Sequence, residues 1–177
     1  MSRKSVTKRI ITEGKFIRLF EMEGWEFVER NNCTGIVVII AMTDDKKVIL
    51  TQQHRLPVGR DVIEFPAGLV NDKGHQKKES LALAAKRELL EETGYAARKM
   101  IKIISGPVSG GFCGDLLTMF RAEGLVKKGK GGGDETEAIT THAVPLKEVD
   151  DWLKSMEQRG CLVDPKVYSG LYFLKRK

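Results

Sequence analysis

The sequence has no apolar run near the roughly 20 residues that span a bilayer. Its longest, "GIVVIIAM" at 35–42, reads as a buried strand. The basic start "MSRKSVTKRI" is not followed by an apolar stretch, so no secretory signal is expected. Cysteine is scarce. Cys33, Cys113 and Cys161 are far apart, and no pair has metal-ligand or redox spacing. A reducing compartment, the cytoplasm, suits them. His54, His75 and His142 are equally scattered, which speaks against zinc. No internal repeat is visible. Aromatic residues make up 7% and never interleave with the basic residues, as they do in strips that grip single strands. Nucleic acid is therefore not expected as a partner, although the net charge of +6 suits some polyanion.

What is present fits one soluble domain of 177 residues with 41% hydrophobic and 31% charged residues. "KFIRLFEM" (15–22) and "WEFVER" (25–30) alternate around Glu23-Gly24 and predict a hairpin. Strands are expected at 35–42, 48–55, 62–65, 100–105, 115–125 and 138–145. Between the last two lies "KKGKGGGDETE" (127–137), read as a flexible loop. A helix is expected from Glu79, with Leu81, Ala85 and Leu89 as its apolar stripe and Gly94 as its stop. A second opens with Pro145 at its first position and turns Leu146, Val149, Trp152, Leu153 and Met156 inward. A third is capped by Asp164, with Pro165 following and Val167, Leu171 and Leu174 inside. Strands mixed with few helices imply an α/β fold, a mixed sheet between helices.

The stretch "AAKRELLEETGY" (84–95) carries the chemistry. At about 100° per residue, Glu88 and Glu92 stand one above the other and Glu91 lies beside them. Like charges that close repel. Arg87, four before Glu91, can bridge to it. An isolated acidic face is usually a solvated surface. Here, however, Glu79, Arg87-Glu88, Glu91-Glu92, Gly94 and Tyr95 keep a fixed register. Hard oxygen donors of this kind suit Mg2+ or Mn2+.

That register resembles the Nudix box: Gly, five residues, Glu, seven residues, Arg-Glu, aliphatic, any, Glu-Glu, any, Gly, and an apolar residue. Glu79 to Tyr95 matches it. Gly74 lies one residue off the box glycine, whose counterpart is Gly68 of "EFPAG". The intervening loop "LVNDKGHQKK", which includes His75–Lys78, is then five residues longer than the pattern. The resemblance implies a Nudix fold, an α/β/α sandwich, spanning 35–177, preceded by a small N-terminal hairpin region, 1–34, that can swap across a homodimer. It implies hydrolysis of a nucleoside diphosphate linked to a second moiety.

The surroundings, "WEFVERNN", "QQHRLPVGRDVIEFPAG" and "TTHAVPLKEV", resemble the ADP-ribose and nucleoside diphosphate sugar pyrophosphatase branch. By that resemblance Glu88, Glu91 and Glu92 hold the metals, joined by a backbone carbonyl of Ala67 or Gly68 and by Glu137. Glu92 and Arg87 belong to the catalytic set, and Glu135 is the base. Arg55 contacts the diphosphate, Glu64 lies beside the substrate, and Glu29 and Arg30 lie near the nucleotide. The segment "SGPVSGGFCGD" departs from the ADP-ribose-specific pattern and favours the wider sugar-nucleotide class. Two other readings compete. One is hydrolysis of RNA 5′-ends or dinucleoside polyphosphates. The other is a non-catalytic nucleotide sensor, which the three retained box glutamates oppose.

Overall fold

The computed structural model describes residues 7–72, 79–133 and 137–176. The chain starts with three antiparallel strands, β1 (Arg9–Glu13), β2 (Ile17–Met22) and β3 (Trp25–Arg30). The expected hairpin is β2–β3, turning at Glu23 and Gly24, both with positive φ. Strand β1 was not expected: every residue of it is exposed, so it carries no alternation to read.

Strand β4 (Ile36–Met42) is the centre of the molecule. It pairs with β5 (Lys47–Arg55), with β7 (Ala67–Leu69), and in parallel with β9 (Cys113–Lys127). Strand β6 (Arg60–Glu64) continues from β5 and pairs in parallel with the short β11 (Leu162–Val163). Strand β8 (Tyr95–Ser109) pairs with β9, and β10 (Thr140–Pro145) with β5. Parallel and antiparallel pairs thus share one mixed sheet, and β3 joins the N-terminal strands to it through β9.

Both faces of β4 are covered, which explains its uninterrupted apolar sequence. Val37, Ile39 and Ala41 pack with Ala84, Ala85 and Leu89 of α1 (Leu81–Thr93). Val38 and Ile40 pack with Val149, Leu153 and Met156 of α2 (Val149–Gln158) and with Val167 and Leu171 of α3 (Pro165–Lys175). The expected sandwich is therefore the observed one.

Two boundaries differ from expectation. Pro145 ends β10 instead of opening a helix. It lies opposite Lys47, and a turn at 146–148 separates it from α2. Asp150 and Asp151 in the first turn of α2 suit its positive end. Strand β8 runs well beyond "MIKIIS", through Gly106 and Pro107, with register shifts at mid-strand, between Lys102 and Ile104, and near its end, between Pro107 and Ser109. Bulges of this kind let a strand continue past residues that normally end one. Among the described residues, no helix is long and apolar enough to cross a membrane.

Candidate active site

Helix α1 is held at both ends. Ser80 caps it by accepting from Leu83 N at 3.3 Å, and Gly94, at φ 69°, ends it with its N–H on Leu90 O. Between the caps, Ala84, Ala85 and Leu89 anchor the helix to the sheet. This fixes its rotation and turns the acidic side toward β7. Two of its carboxylates do not face open water: Glu88 is 8% exposed and Glu92 5%, whereas the Glu91 side chain is 34% exposed.

Strand β7 is built to meet them. The Glu88 side chain lies directly over Gly68, where a Cβ would come within 2.0 Å of its carboxyl carbon. One oxygen of Glu92 accepts the Ala67 N–H at 3.2 Å. Burial pushes the Glu88 carboxyl up to about 7, although the Arg87 guanidinium opposes the rise. Burial, reinforced by the charge of Glu88, pushes Glu92 up to about 9 against the pull of the Ala67 N–H.

Arg87 organises the acidic residues. Its Nε and Nη2 donate to the two oxygens of Glu79 at 3.1 Å each, and Nη2 also reaches Leu69 O at 3.0 Å. Its Nη1 donates to Glu88 at 2.7 Å and to Glu91 at 3.2 Å. Glu79 thus sits in the register that the spacing implied, despite the longer loop before it. The inserted residues His75–Lys78 lie outside the described residues.

Glu88, Glu91 and Glu92, though not Arg87 or Glu79, line a cleft of about 490 Å³ together with Arg30, Arg55, Glu64, Ala67, Gly68 and Glu137. Arg55 Nε donates to Glu64 at 2.7 Å. Glu29 is not among the lining residues. Its carboxylate pairs with Lys8 and packs against Gly114. Glu135 lies outside the described residues. Asp72 and Lys166 line the cleft and were not singled out from sequence. Asp72, four residues after Gly68, was legible as a further acid in the box loop. Lys166 had no such signal, because it arrives from α3, nearly a hundred residues away.

Among the described residues, no three acidic, histidine or cysteine side chains form a ready coordination group. Arg87 stands between Glu88 and Glu91 instead. The donor set still fits a hard divalent cation. It offers only oxygens, and its two buried carboxylates would gain most from a neighbouring positive charge.

A model of the NUDIX domain matches residues 34–162. An ADP-ribose pyrophosphatase of Bacillus subtilis is 34% identical over the whole of this chain and 95% of that protein. The chain belongs to the Nudix family. A methanol dehydrogenase activator of Bacillus methanolicus is 33% identical over 80% of this chain and 72% of its own length. Among solved structures, an ADP compounds hydrolase superposes with a TM-score of 0.69 at 21% identity, covering 99% of this chain and 95% of that one. This last likeness supports the Nudix fold. Strand β7 carries Gly68, and α1 with its two ends carries Glu79 to Tyr95, the residues of the register that resembles the Nudix box.

Proposed function

We propose that this Nudix protein hydrolyses the pyrophosphate bond of nucleoside diphosphate sugars, ADP-ribose among them. Water is added across the P–O–P bridge, giving a nucleoside monophosphate and a sugar phosphate. The carrying observation is the buried pair Glu88 and Glu92 over the backbone of Ala67 and Gly68, facing Arg55 across one cleft. The Bacillus subtilis relative, matched over nearly its full length, supports the choice of substrate class.

Glu88, Glu91, Glu92 and Glu137, with a carbonyl of Ala67 or Gly68, would hold Mg2+ or Mn2+. Such an ion, when bound, neutralises the diphosphate and makes water nucleophilic near neutral pH. The protein's own part is orientation. Arg87 fixes Glu88 and Glu91 by hydrogen bonds from one nitrogen. Arg55, aligned by Glu64, donates charge-assisted bonds to phosphate oxygens. Glu135 takes the proton from the attacking water. Arg30, which lines the same cleft, would meet the nucleoside end.

The assembly is a homodimer in this reading, with residues 1–34 as the exchanged unit and 35–177 as the hydrolase domain. Exposed Ile10, Ile17 and Trp25 on the N-terminal strands, and Phe16 in the bend between β1 and β2, support it. A reducing cytoplasm suits the three free cysteines.

The test is product analysis with Mg2+ across ADP-ribose, other nucleoside diphosphate sugars and 5′-triphosphate RNA. Release of nucleoside monophosphate and sugar phosphate is expected. Cleavage of the RNA alone would move the protein to the polyphosphate-end class. Tight binding without turnover would make it a sensor.

A further inference from the structure

The end of β9, Lys127, and the segment after it fold back over the end of α1 and meet its carbonyls one after another. Gly133 N donates to Glu91 O at 3.2 Å, and Gly132 N to Glu92 O at 2.8 Å. Lys127 Nζ donates to Thr93 O at 2.7 Å. Lys128 N and Gly129 N both donate to Gly94 O, at 2.8 and 3.1 Å. Thr141 Oγ1 adds a second bond to Glu92 O at 3.2 Å. A helix leaves its last four carbonyls without partners inside the helix. Here Leu90 O takes the Gly94 N–H, and this one segment takes the rest.

The contact is too close for side chains. A Cβ on Gly131 would lie 2.5 Å from Thr93 C and 2.6 Å from Glu92 O, and a Cβ on Gly94 2.2 Å from Gly129 O. Gly131 also holds φ 74°, in the left-handed region. On its other side the run meets the next cleft residue: a Cβ on Gly133 would fall 2.7 Å from both Cβ and Oε2 of Glu137. Ile139 N then donates to Gly132 O at 3.1 Å.

The charges give this docking a purpose. A helix C-terminus carries negative partial charge, and carboxylates there are disfavoured. Glu91 and Glu92 stand in the last turn of α1. The amides of the glycine run and the Lys127 ammonium place positive charge where those two residues need it.

We infer that the 127–133 segment is a clamp that sets the carboxylates of α1 against Glu137, and that Gly131 and Gly133 are positioning residues for hydrolysis. The inference rests on the function proposed for the cleft. Gly131 is present for close approach of two backbones and Gly133 for close approach of the Glu137 side chain, not for looseness. The run locks the backbone of Glu91 and Glu92 to the start of the strand that carries Thr141. A shift of about 1 Å at a catalytic group can cost about a hundredfold in rate.

The test compares Gly131→Ala, Gly133→Ala and Gly129→Ala. A methyl at Gly129 meets nothing within 4 Å. Gly131→Ala and Gly133→Ala should lower kcat for ADP-ribose about tenfold or more and leave KM within about threefold. Both should also weaken Mn2+ binding, read by electron paramagnetic resonance without substrate. Gly129→Ala should match the wild type in all three readings. Gly131→Asn separates the two causes. Asparagine tolerates a positive φ, so loss equal to that of alanine assigns the effect to backbone contact.

Unchanged kcat and Mn2+ affinity in Gly131→Ala would overturn the clamp, as would losses that only follow the folded fraction. Amide exchange reads the clamp apart from turnover. In the wild type the Gly132 and Gly133 amides should exchange as slowly as those in the last turn of α1. Rapid exchange there overturns the clamp even if the enzyme is active. Slow exchange in a protein that cleaves no diphosphate would instead count against the proposed function.

Discussion

Glu88 occupies the space that any side chain at residue 68 would need: a Cβ there would lie 2.0 Å from its carboxyl carbon and 2.2 Å from Oε1. Gly68 pairs with Val37 in the middle of the fold, so its backbone cannot retreat. Gly68→Ala should therefore displace Glu88 and leave the sheet in place. Activity should fall about a hundredfold while the circular dichroism spectrum stays that of the wild type. Turnover near the wild-type rate would mean that Glu88 is not a ligand in the productive state.

Arg87 acts as a fork. Its two bonds to Glu79 and its shared nitrogen between Glu88 and Glu91 use the planar guanidinium, which lysine does not offer. Arg87→Lys keeps the charge and should still cost about tenfold to a hundredfold in kcat/KM or metal affinity, the usual loss when a partner of ligand side chains is removed. Glu79→Gln should give a smaller loss in the same direction. Adding it to Arg87→Lys should cost less than the sum of the two single changes, because both act through one contact.

The raised carboxylates predict how the metal-free protein responds to pH. Burial lifts Glu92 from 4.5 to about 9, so the folded state prefers it protonated. An unfolded chain releases that proton near 4.5. The contribution of this group is thus fully present below pH 4.5 and is lost as pH climbs toward 9. In a chelator, the thermal midpoint of the wild type should fall over that range, and Glu92→Gln should flatten the fall. Mg2+ should raise the wild-type midpoint more at high pH than at low pH, because protons compete for the same oxygens. Glu92→Gln should remain folded and lose nearly all turnover. A midpoint indifferent to Mg2+ at every pH would remove the carboxylates from the metal site.

The box was legible because its spacing is local. Helical period alone puts Glu88 above Glu92, and the structure turns that face inward through Ala85 and Leu89. The burial of those acids was not legible. It depends on β7 passing under the helix, a contact with no periodic trace in either segment. The glycine run misled for a related reason. Glycine composition reads as a loose loop, yet Gly131 lies against the Glu92 carbonyl. The three inward stripes were read correctly from apolar spacing except for Leu146, which lies in the turn before α2, and Pro145 was misplaced. Proline suits both a strand end and a helix start, and only the pairing with Lys47 decides between them.

Arg55 and Glu64 supply the last prediction. They sit on neighbouring strands, β5 and β6, and the Arg55 Nε–Glu64 Oε2 distance is 2.7 Å. Arg55 is the more open partner, with its side chain 41% exposed against 14% for Glu64. An arginine on the rim gains little from one ion pair in stability. What the pair supplies is direction, since Glu64 engages Nε and aims the guanidinium at the cleft. Arg55→Ala should therefore raise KM for ADP-ribose about tenfold or more, the loss of a charge-assisted bond to phosphate. Glu64→Gln keeps a weaker acceptor and should raise KM by less, while Glu64→Ala should approach Arg55→Ala. The melting midpoint should move little in Arg55→Ala. If Glu64→Ala lowers kcat and leaves KM unchanged, Glu64 acts on the carboxylate side of the cleft instead of through Arg55.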